Sequence, residues 1–290
     1  MLKEPPLIDL VVVGGLTIDR FADGTSAAGG SVLHSSRAAV AEGATVGVVT
    51  VAGDEPEAAA ALDALAVLCT VVLQPARGTV IYRHREADGR RVLILDRIAE
   101  RLTPATMARA PRTGVAIFAP IAGELPVNAI RAMRDAAMPA RSVALIQGWL
   151  RRLEEGKPAS PLPLSHLGAE LRSQLGAMDA VIASTEDLVA DADEPLTQLG
   201  ALREAIGPRP VAVLTLGTYG YLLDDPTLER ITASYPRRVI TGVPSVGAGD
   251  IYGAAMATHL GRGATATDAA AAAADAVIRM LEQRRSVAPS

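Results

Sequence analysis

Two glycines and an aspartate stand together in the sequence GAGD, residues 247–250, where a helix is predicted to begin. Glycines let the backbone approach a ligand closely, and the first N–H groups of a helix are donors without partners inside the helix. A helix start of this kind binds anions. The carboxylate of Asp250 would repel an anion there unless it accepts a proton or holds a cation. The motif therefore predicts an anion site in which Asp250 has one of these two roles.

Two other interpretations of the same glycines remain. Gly247, Gly249 and Gly253 form GxGxxxG, but the dinucleotide fingerprint that this pattern resembles needs an acidic residue about twenty positions on, after a second strand. An alanine-rich helix follows instead. The glycines could also make only a tight turn. Against this, TLGTYG at 215–220 is a second strand followed by a glycine turn close upstream, which favours a ligand site.

The composition favours a small-molecule ligand over a nucleic acid or a membrane. The chain has 290 residues and a formal net charge of -4, so it offers no basic field for nucleic acid. Its hydrophobic content is 49%, yet the apolar runs are shorter than the roughly 20 residues that a membrane span needs. The start MLKEPPLIDL lacks the features of a signal peptide, and the single Cys69 permits no internal disulfide. We therefore expect a cytoplasmic protein that binds neither nucleic acid nor membrane.

Basic residues are almost all arginine. Only Lys3 and Lys157 are lysine among the 28 basic residues, and no GxxxxGK[ST] phosphate loop is present. A nucleotide would therefore have to be held by backbone amides, arginine or a metal ion. The histidines show no HExxH spacing and lie far apart, at His34, His84, His166 and His259. The sequence thus predicts no zinc site.

Short β-branched runs alternate with Ala- and Leu-rich stretches of helical period. The candidate strands are LIDLVVVG, TVGVVTVAG and residues 114–120, 142–147, 179–184 and 211–216. This alternation predicts helices that cover a parallel sheet. Residues 79–96 break the pattern with two strands around an Asp88-Gly89 turn, which is a hairpin signal. A hairpin inserted in an α/β domain often serves as a lid. The polar, Pro-rich stretch 151–166 is predicted to be a surface loop.

Four motifs follow one another along the chain. They are GxxxxD with Gly14 and Asp19, the pair Gly29 and Gly30, TxGxxG with Thr215, Gly217 and Gly220, and GAGD before a helix of small residues. In this order they resemble the PfkB family of carbohydrate kinases, also called the ribokinase-like family. The resemblance extends over nearly the whole chain. Middle stretches such as IQGWLR at 146–151 resemble the branch that includes myo-inositol kinases.

The resemblance implies an α/β fold of three layers, α/β/α, with a mostly parallel central sheet and a small β lid. One kinase domain would span residues 1–290, with lid elements near 17–28 and 79–96. Such a kinase uses ATP and Mg²⁺ to phosphorylate a hydroxyl of a sugar or polyol. Lids of this family also pair, so the resemblance implies a possible homodimer through the lid.

The resemblance also assigns roles to individual residues. Asp250 would accept the hydroxyl proton, and the backbone at GAGD would form the anion hole, with Gly247, Ala248 and Gly249 as its other members. Substrate would bind at Asp19, Gly29, Gly30 and His34. The cofactor would bind at Thr215, Gly217, Gly220 and Ser184. Asp187 would help to place the metal ion.

Several positions depart from the family pattern or have an ordinary structural explanation. His34 replaces an asparagine and on its own would suit a structural histidine, and Asp19 could cap a helix or turn after a strand. Ser184 and Asp187 replace the asparagine and glutamate of NxxE, although a helix N-cap explains ASTEDL equally well. Val246 replaces a threonine next to GAGD.

These departures keep two alternative functions open. GGSVLHSSR also resembles the adenosine kinase form of the substrate motif, which would indicate a nucleoside kinase. The altered residues would also suit a non-catalytic, ligand-sensing relative. An aromatic content of 3% leaves few side chains to stack on a base, which favours the sugar or polyol.

Overall fold

The computed structural model describes residues 7–87, 90–189, 194–236 and 238–287. Its strands are β1 (Ile8–Gly15), β2 (Thr17–Arg20), β3 (Ser26–Gly29), β4 (Val46–Ala52), β5 (Cys69–Pro75), β6 (Val80–Ala87), β7 (Arg90–Arg97), β8 (Thr113–Ala119), β9 (Arg141–Leu145), β10 (Arg151–Arg152), β11 (Ser160–Pro161), β12 (Ala180–Ser184), β13 (Val211–Thr215), β14 (Tyr221–Asp224) and β15 (Thr232–Ser234). Its α-helices are α1 (Ser31–Ala41), α2 (Pro56–Leu68), α3 (Pro104–Met107), α4 (Val127–Ala137), α5 (Ala169–Gly176), α6 (Pro195–Ile206), α7 (Ala248–Gly261) and α8 (Ala266–Val287).

Nine of the described strands form one central sheet, in the spatial order β15-β14-β13-β12-β9-β8-β1-β4-β5. The strands from β13 to β5 run parallel, whereas β14 and β15 are antiparallel additions at one edge. In the middle of the sheet Leu10 pairs with Val46 on one side and Val115 on the other. β1 and β4 are apolar almost throughout because both faces of a parallel sheet are covered. The α/β class and the mostly parallel sheet predicted from the sequence are confirmed.

Helices cover the two faces of the central sheet. One hydrophobic core is formed with α1, α2, α7 and α8, and a second core on the other face with α3, α4, α5 and α6. The helices on the two faces and the sheet between them therefore form three layers, as the resemblance implies. Among the helices in the described ranges, none is both long and apolar enough to cross a membrane.

α7 approaches the sheet unusually closely because it is built of small residues. A Cβ atom at Gly253 would lie 2.4 Å from Cδ2 of Leu145, and one at Gly261 would lie 2.5 Å from Cγ2 of Val115. Side chains larger than hydrogen at these positions would push α7 away from β8 and β9. Nearly all residues from 251 to 260 are buried. This packing fixes the start of α7 against the middle of the sheet.

A separate sheet of four strands, in the order β3-β2-β6-β7, lies over the central sheet and is called the small sheet below. Its β6 and β7 confirm the hairpin predicted within 79–96, while the Asp88-Gly89 turn lies outside the described residues. Val80, Tyr82 and Leu95 pack with Ile121 and Ala122, which follow β8. The small sheet is thereby placed at the carboxyl ends of the central strands, where α/β folds bind ligands.

The stretch 151–166 is more than the surface loop predicted from its polar sequence. Its first two residues form β10, which pairs with β11, and Leu95 of the small sheet donates its N–H to the carbonyl of Lys157 at 3.1 Å. Leu162 is buried and Arg151 is half-buried. Most of the stretch is exposed, as predicted, but its polarity gave no sign that Arg151 turns towards enclosed carboxylates, as described below.

Candidate active site

The start of α7 presents the GAGD residues much as an anion hole requires. Gly247 precedes the helix with φ 79°, a left-handed conformation that favours glycine. The N–H of Ala248 donates to the carbonyl of Ser245 at 3.0 Å. The N–H groups of Gly249 and Asp250 have no hydrogen-bond partner within the described part of the chain. Of the predicted amide donors, those two are therefore free for an anion.

His34 of α1 lies directly against this helix start. A Cβ atom at Gly247 would come within 2.5 Å of Cγ of the His34 ring. Ser35, the next residue, donates its hydroxyl to the carbonyl of Asp250 at 3.2 Å. The pKa of His34 is lowered to about 4, mainly by burial and also by the charges of Arg284 and Arg37, while the charge of Asp19 opposes these effects. His34 is consequently neutral at pH 7.

Asp19 and the glycine pair form a second part of the site. Asp19 is buried, and Oδ1 accepts a hydrogen bond from the Thr17 hydroxyl at 3.3 Å. A Cβ atom at Gly29 would lie 2.4 Å from Oδ2 of Asp19, so only glycine leaves room for that carboxylate. Gly30 begins α1 with φ 98° and would clash with the carbonyl of Gly15 if it carried a side chain. The substrate residues predicted near the N-terminus therefore lie together.

The carboxyl of Asp250 is enclosed by protein, although the residue keeps some accessible surface. Burial raises the pKa of Asp250 to about 7, the positive charge of Arg151 opposes this rise, and the negative charge of Asp187 adds to it. A general base is most effective when its pKa is close to the working pH. The environment of Asp250 therefore suits proton transfer near neutral pH.

Arg151 is a site residue that the motifs did not identify. Its charge lowers the pKa values of Asp250, Asp187 and Glu124, so it stands among three acidic groups. When the side-chain amide of Gln147 is oriented with its oxygen towards Arg151, this oxygen accepts hydrogen bonds from Nη1 and Nη2 of Arg151 at 3.2 and 3.0 Å. The sequence signal that could have found Arg151 is IQGWLR, which ends on it. An arginine in this position limits how far burial raises the pKa of the base.

Ser184 and Asp187 lie in the turn that follows β12. Oδ2 of Asp187 accepts the N–H of Ser184 at 3.0 Å, and the Ser184 hydroxyl accepts the N–H of Glu186 at 3.1 Å. The two side chains therefore cap a turn, and no α-helix begins directly after them. Burial raises the pKa of Asp187, with Arg151 opposing the rise. Asp187 still lies close enough to act electrostatically on Asp250, so the turn borders Asp250.

The TxGxxG residues form the end of the neighbouring strand. Thr215 pairs with Ser184 in the sheet and donates its hydroxyl to the carbonyl of Ala183 at 3.3 Å. Gly217 and Gly220 have φ values of 59° and 97°, which the turn after β13 requires. These three residues are beside the Ser184 turn, at the carboxyl edge of the sheet. They shape the edge of the site, and no hydrogen bond in the described part of the chain joins them to Asp250.

The loop before GAGD is held by the last helix. Arg284 of α8 donates from Nη1 to the carbonyls of Pro244 and Val246, at 2.7 and 2.8 Å. Val246 thus contributes its backbone to this loop, where a threonine would also have offered a hydroxyl. Arg284 was not foreseen either, since it is 34 residues after Asp250, in the alanine-rich helix to which no site residue was assigned. Its bonds order the peptide that leads into the anion hole.

The acidic groups suit a metal held mainly by phosphate and water. Within the described ranges no group of three or more His, Cys, Asp or Glu residues could hold a metal ion by itself. Mg²⁺ usually keeps several waters and binds through one or two carboxylates plus substrate phosphates. Asp187, next to the base, offers such a carboxylate. The donor set therefore fits Mg²⁺ that arrives with a phosphorylated ligand.

Comparison with known proteins gives matches among solved structures. No family model matches the sequence, and no curated protein matches it either. A pyrophosphate-dependent kinase in the ribokinase family, complexed with a pyrophosphate analog and myo-inositol, is 17% identical with a TM-score of 0.74, over 91% of this chain and 92% of that chain. Arabidopsis thaliana ribokinase, complexed with ribose and ATP, is 17% identical with a TM-score of 0.67, over 96% and 99%.

A nucleoside kinase has the same architecture. Adenosine kinase from Schistosoma mansoni, in complex with 2-fluoroadenosine, is 13% identical with a TM-score of 0.72, over 95% of this chain and 96% of that chain. The structural similarity to these kinases shows the fold, and identities this low leave the substrate open. The chain therefore has the ribokinase-like fold that its motifs resemble.

Proposed function

Because the chain has the ribokinase-like fold, we propose that it is a kinase that transfers a phosphoryl group to a hydroxyl of a sugar or polyol. The observation that carries this proposal is the enclosed carboxyl of Asp250, with a pKa of about 7, beside free N–H groups at the start of α7. A base and an anion site within one helical turn match the two needs of phosphoryl transfer. The hydroxyl must lose a proton while the phosphoryl oxygens carry negative charge.

The chemical step assigns a separate task to each part of the site. Asp250 accepts the proton of the acceptor hydroxyl as the acceptor oxygen bonds to phosphorus, and the bond from phosphorus to the leaving oxygen of the donor breaks. The N–H groups of Gly249 and Asp250 stabilise the oxygens of the transferring group. Arg151 keeps enough of Asp250 ionised at neutral pH for it to serve as the base. Asp250 then releases its proton to solvent.

ATP with Mg²⁺ is the proposed donor. The turn at Gly217 and Gly220 brings backbone to the sheet edge beside Ser184, in keeping with the nucleotide motif that these residues resemble. Asp187 would hold Mg²⁺ through water, and the ion, when bound, neutralises charge on the phosphate oxygens. Arginine and backbone amides are the other phosphate-binding groups available, since the sequence has no phosphate-loop lysine.

Pyrophosphate is a second candidate for the donor. It is supported by the solved structure of the same fold that is described as pyrophosphate-dependent. Both donors present the same phosphoryl oxygens to the free amides of α7. They differ in whether the turn at Gly217 and Gly220 has a nucleoside to contact. The choice between them therefore depends on the edge of the site and leaves the role of Asp250 unchanged.

The acceptor side suits hydroxyl groups. Asp19 is an acceptor-only carboxylate, and the neutral His34 offers one donor and one acceptor. A nucleoside remains the alternative acceptor, supported by the adenosine kinase of the same fold. The ring of Phe21, which directly follows β2, is already in contact with His84 at a centroid distance of 4.9 Å. A sugar or polyol, with myo-inositol as one candidate, therefore fits better than a base that needs stacking.

The remaining expectations are proposals of the same kind. We propose that residues 1–290 act as one kinase domain and that the small sheet closes over the acceptor as a lid. Pairing of two lids in a homodimer and a cytoplasmic location stay predictions from the resemblance and the single cysteine. Neither affects the chemistry at Asp250.

A donor and acceptor screen tests the proposed function. Purified protein is incubated with Mg²⁺ and either ATP or pyrophosphate, together with sugars, inositols or nucleosides, and the phosphorylated product is detected by mass spectrometry. Direct product detection is needed because an assay coupled to ADP does not register pyrophosphate. We expect a phosphorylated sugar or polyol from the wild-type protein and none above background from Asp250→Asn.

The other outcomes separate the alternatives. A phosphorylated nucleoside alone would establish the nucleoside kinase. Silence across all acceptors with both donors, from protein that remains folded, would overturn the kinase and support the ligand-sensing relative. Binding of an acceptor without turnover would strengthen that second conclusion.

A further inference from the structure

His84 of β6 is a buried histidine to which the motifs assign no role. The residue is only 8% exposed. Nε2 lies 3.3 Å from Oδ1 of Asp19, but the two atoms are not aligned for a hydrogen bond. Across the described residues Nε2 has no other hydrogen-bond partner. A buried polar nitrogen left unpaired costs free energy, so its position beside a substrate carboxylate needs an explanation.

The surrounding strands hold the imidazole in this position. β6 pairs with β2, which carries Asp19, and with β7, where Leu93 is opposite His84. On the other side the ring contacts Phe21, with an interplanar angle of 40°. A histidine that served packing alone could have been any apolar residue here. The strands instead place Nε2 beside the carboxylate of Asp19.

A second unpaired imidazole lies near Asp19 on the side of the base. Nε2 of His34 is buried and also without a partner in the described chain, and its ring touches Gly247. The charge of Asp19 acts on His34, which places the two side chains near each other. His34 therefore connects the surroundings of Asp19 with the anion hole. Asp19, His84 and His34 together are called the acceptor pocket below.

We propose that His84 binds a hydroxyl of the acceptor jointly with Asp19, and that the acceptor pocket selects a neutral polyol. This inference rests on the proposed kinase function. A hydroxyl has one proton and two lone pairs, so it can donate a hydrogen bond to Asp19 while it accepts one from the N–H of His84. One hydroxyl then satisfies both side chains, whose atoms Nε2 and Oδ1 are not aligned for a hydrogen bond to each other. A second hydroxyl reaches His34, and a third reacts at Asp250.

The charge of the pocket supports a neutral ligand. Asp19 is only 8% exposed, so an anionic group placed against it would meet a carboxylate with little solvent screening. A sugar phosphate bound through its phosphate is therefore disfavoured at this end. A polyol without charge can supply donors to Asp19 and oxygens to the imidazoles. The number and direction of its hydroxyl groups, read by three side chains, would determine affinity.

Two substitutions at position 84 and one at the next residue test this role. His84→Leu removes the polar nitrogen, whereas His84→Gln keeps an amide that can reach the same place. Arg85→Leu is the matched control, because Arg85 is exposed and neighbouring residues of a strand point to opposite faces. For the acceptor found in the screen, we expect His84→Leu to raise KM about tenfold to a hundredfold, as expected for a lost hydrogen bond in a buried site. The KM of the donor should stay unchanged.

The effect of His84→Leu is interpreted by comparison with His84→Gln and Arg85→Leu. His84→Gln should recover a large part of the acceptor affinity, and Arg85→Leu should behave as the wild type. An acceptor KM that His84→Leu leaves unchanged would overturn the role of His84 while leaving the kinase intact. Absence of turnover in the wild type would instead overturn the kinase proposal, and this one with it.

Acceptor analogues that lack single hydroxyls identify the contact itself. If one hydroxyl bridges Asp19 and His84, the monodeoxy analogue that lacks this hydroxyl should bind weakly to the wild type. For that analogue, His84→Gln or His84→Leu should cause no further loss of affinity. For the other analogues the loss caused by the substitution should persist. Equal losses with every analogue would overturn the proposed contact. Thermal unfolding of each variant confirms that folded proteins are compared. If the leucine variant does not fold, His84→Ala, which also removes the polar nitrogen, takes its place in both tests.

Discussion

The start of α7 presents a carboxyl and two free amides from consecutive residues, whereas the acceptor pocket takes Asp19, His34 and His84 from β2, α1 and β6. The first region depends on the conformation of one glycine turn and on backbone donors that every sequence possesses. The second depends on side chains that only the tertiary fold brings together. Apart from Gly247, the start of α7 should therefore tolerate side-chain change, and the acceptor pocket is the place where such change should alter specificity.

The largest expected effect tests the catalytic region. Asp250→Asn keeps the N–H that faces the anion and removes only the base. Turnover should fall by about a hundredfold to ten-thousandfold, the usual contribution of a general base. Donor binding, measured by calorimetry, should persist. Wild-type turnover in this variant would remove Asp250 from the mechanism.

The next effect tests the backbone of the same region by comparing two glycines. Alanine at 247 would place Cβ 2.5 Å from the His34 ring and require φ near 79°, whereas Cβ at 249 meets no atom within 4 Å. We expect Gly247→Ala to lower the free energy of unfolding by about 1–3 kcal/mol, as for other strained residues. Gly249→Ala should leave it nearly unchanged or slightly higher. Equal losses in chemical denaturation would contradict this contrast.

A pair of charge changes around the base should shift the pH profile in opposite directions. The acceptor kcat/KM of the wild type should rise as Asp250 ionises, with an apparent pKa near the value of about 7 set by burial. Arg151→Met removes a charge that lowers this pKa, so the rising limb should move to higher pH. Asp187→Asn removes a charge that raises it, so the limb should move to lower pH. Shifts of both variants in the same direction would refute the assigned environment.

The same carboxyl should have a smaller effect on stability. Asp250 has a pKa of about 7 in the folded protein and 3.8 as its ordinary value, so the folded state binds more protons between these two values. Stability linked to Asp250 is therefore complete below pH 4 and is lost as the pH rises through 7. The free energy of unfolding of the wild type, relative to Asp250→Asn, should fall over this range. A constant difference would show that Asp250 is not buried as described.

The smallest expected effect concerns the acceptor region, where the small sheet is proposed to be a lid. Lids close over substrate and exclude water, which otherwise competes as the phosphoryl acceptor. Hydrogen exchange within 79–96 should slow when an acceptor that binds is added. β8 and β9, already buried, should show no change. Equal exchange of 79–96 with and without acceptor would favour a static sheet.

The two regions also differ in how far the sequence predicts them. GAGD, TxGxxG and the glycine pair at 29 and 30 are contiguous patterns whose geometry is local, so their conformations follow from the sequence. Arg151 and His84 were given no role, because a polar loop and an alternating strand give no sign of the charges they face. IQGWLR marks Arg151 only through its resemblance to a kinase branch. The helix N-cap that ASTEDL left open as an alternative does not form, since the same side chains cap a turn instead. The sequence does not show which charged residues, distant along the chain, the fold brings together.

The close packing of α7 determines how the protein should respond to heat. Its start cannot loosen without separating Gly253 from Leu145 and Gly261 from Val115, and those contacts belong to the centre of the sheet. Local opening of a buried element of this kind requires nearly the whole cooperative unit to unfold. Loss of the anion hole on warming should therefore coincide with the melting of the sheet. The acceptor pocket, which depends on the small sheet, is free to open at a lower temperature.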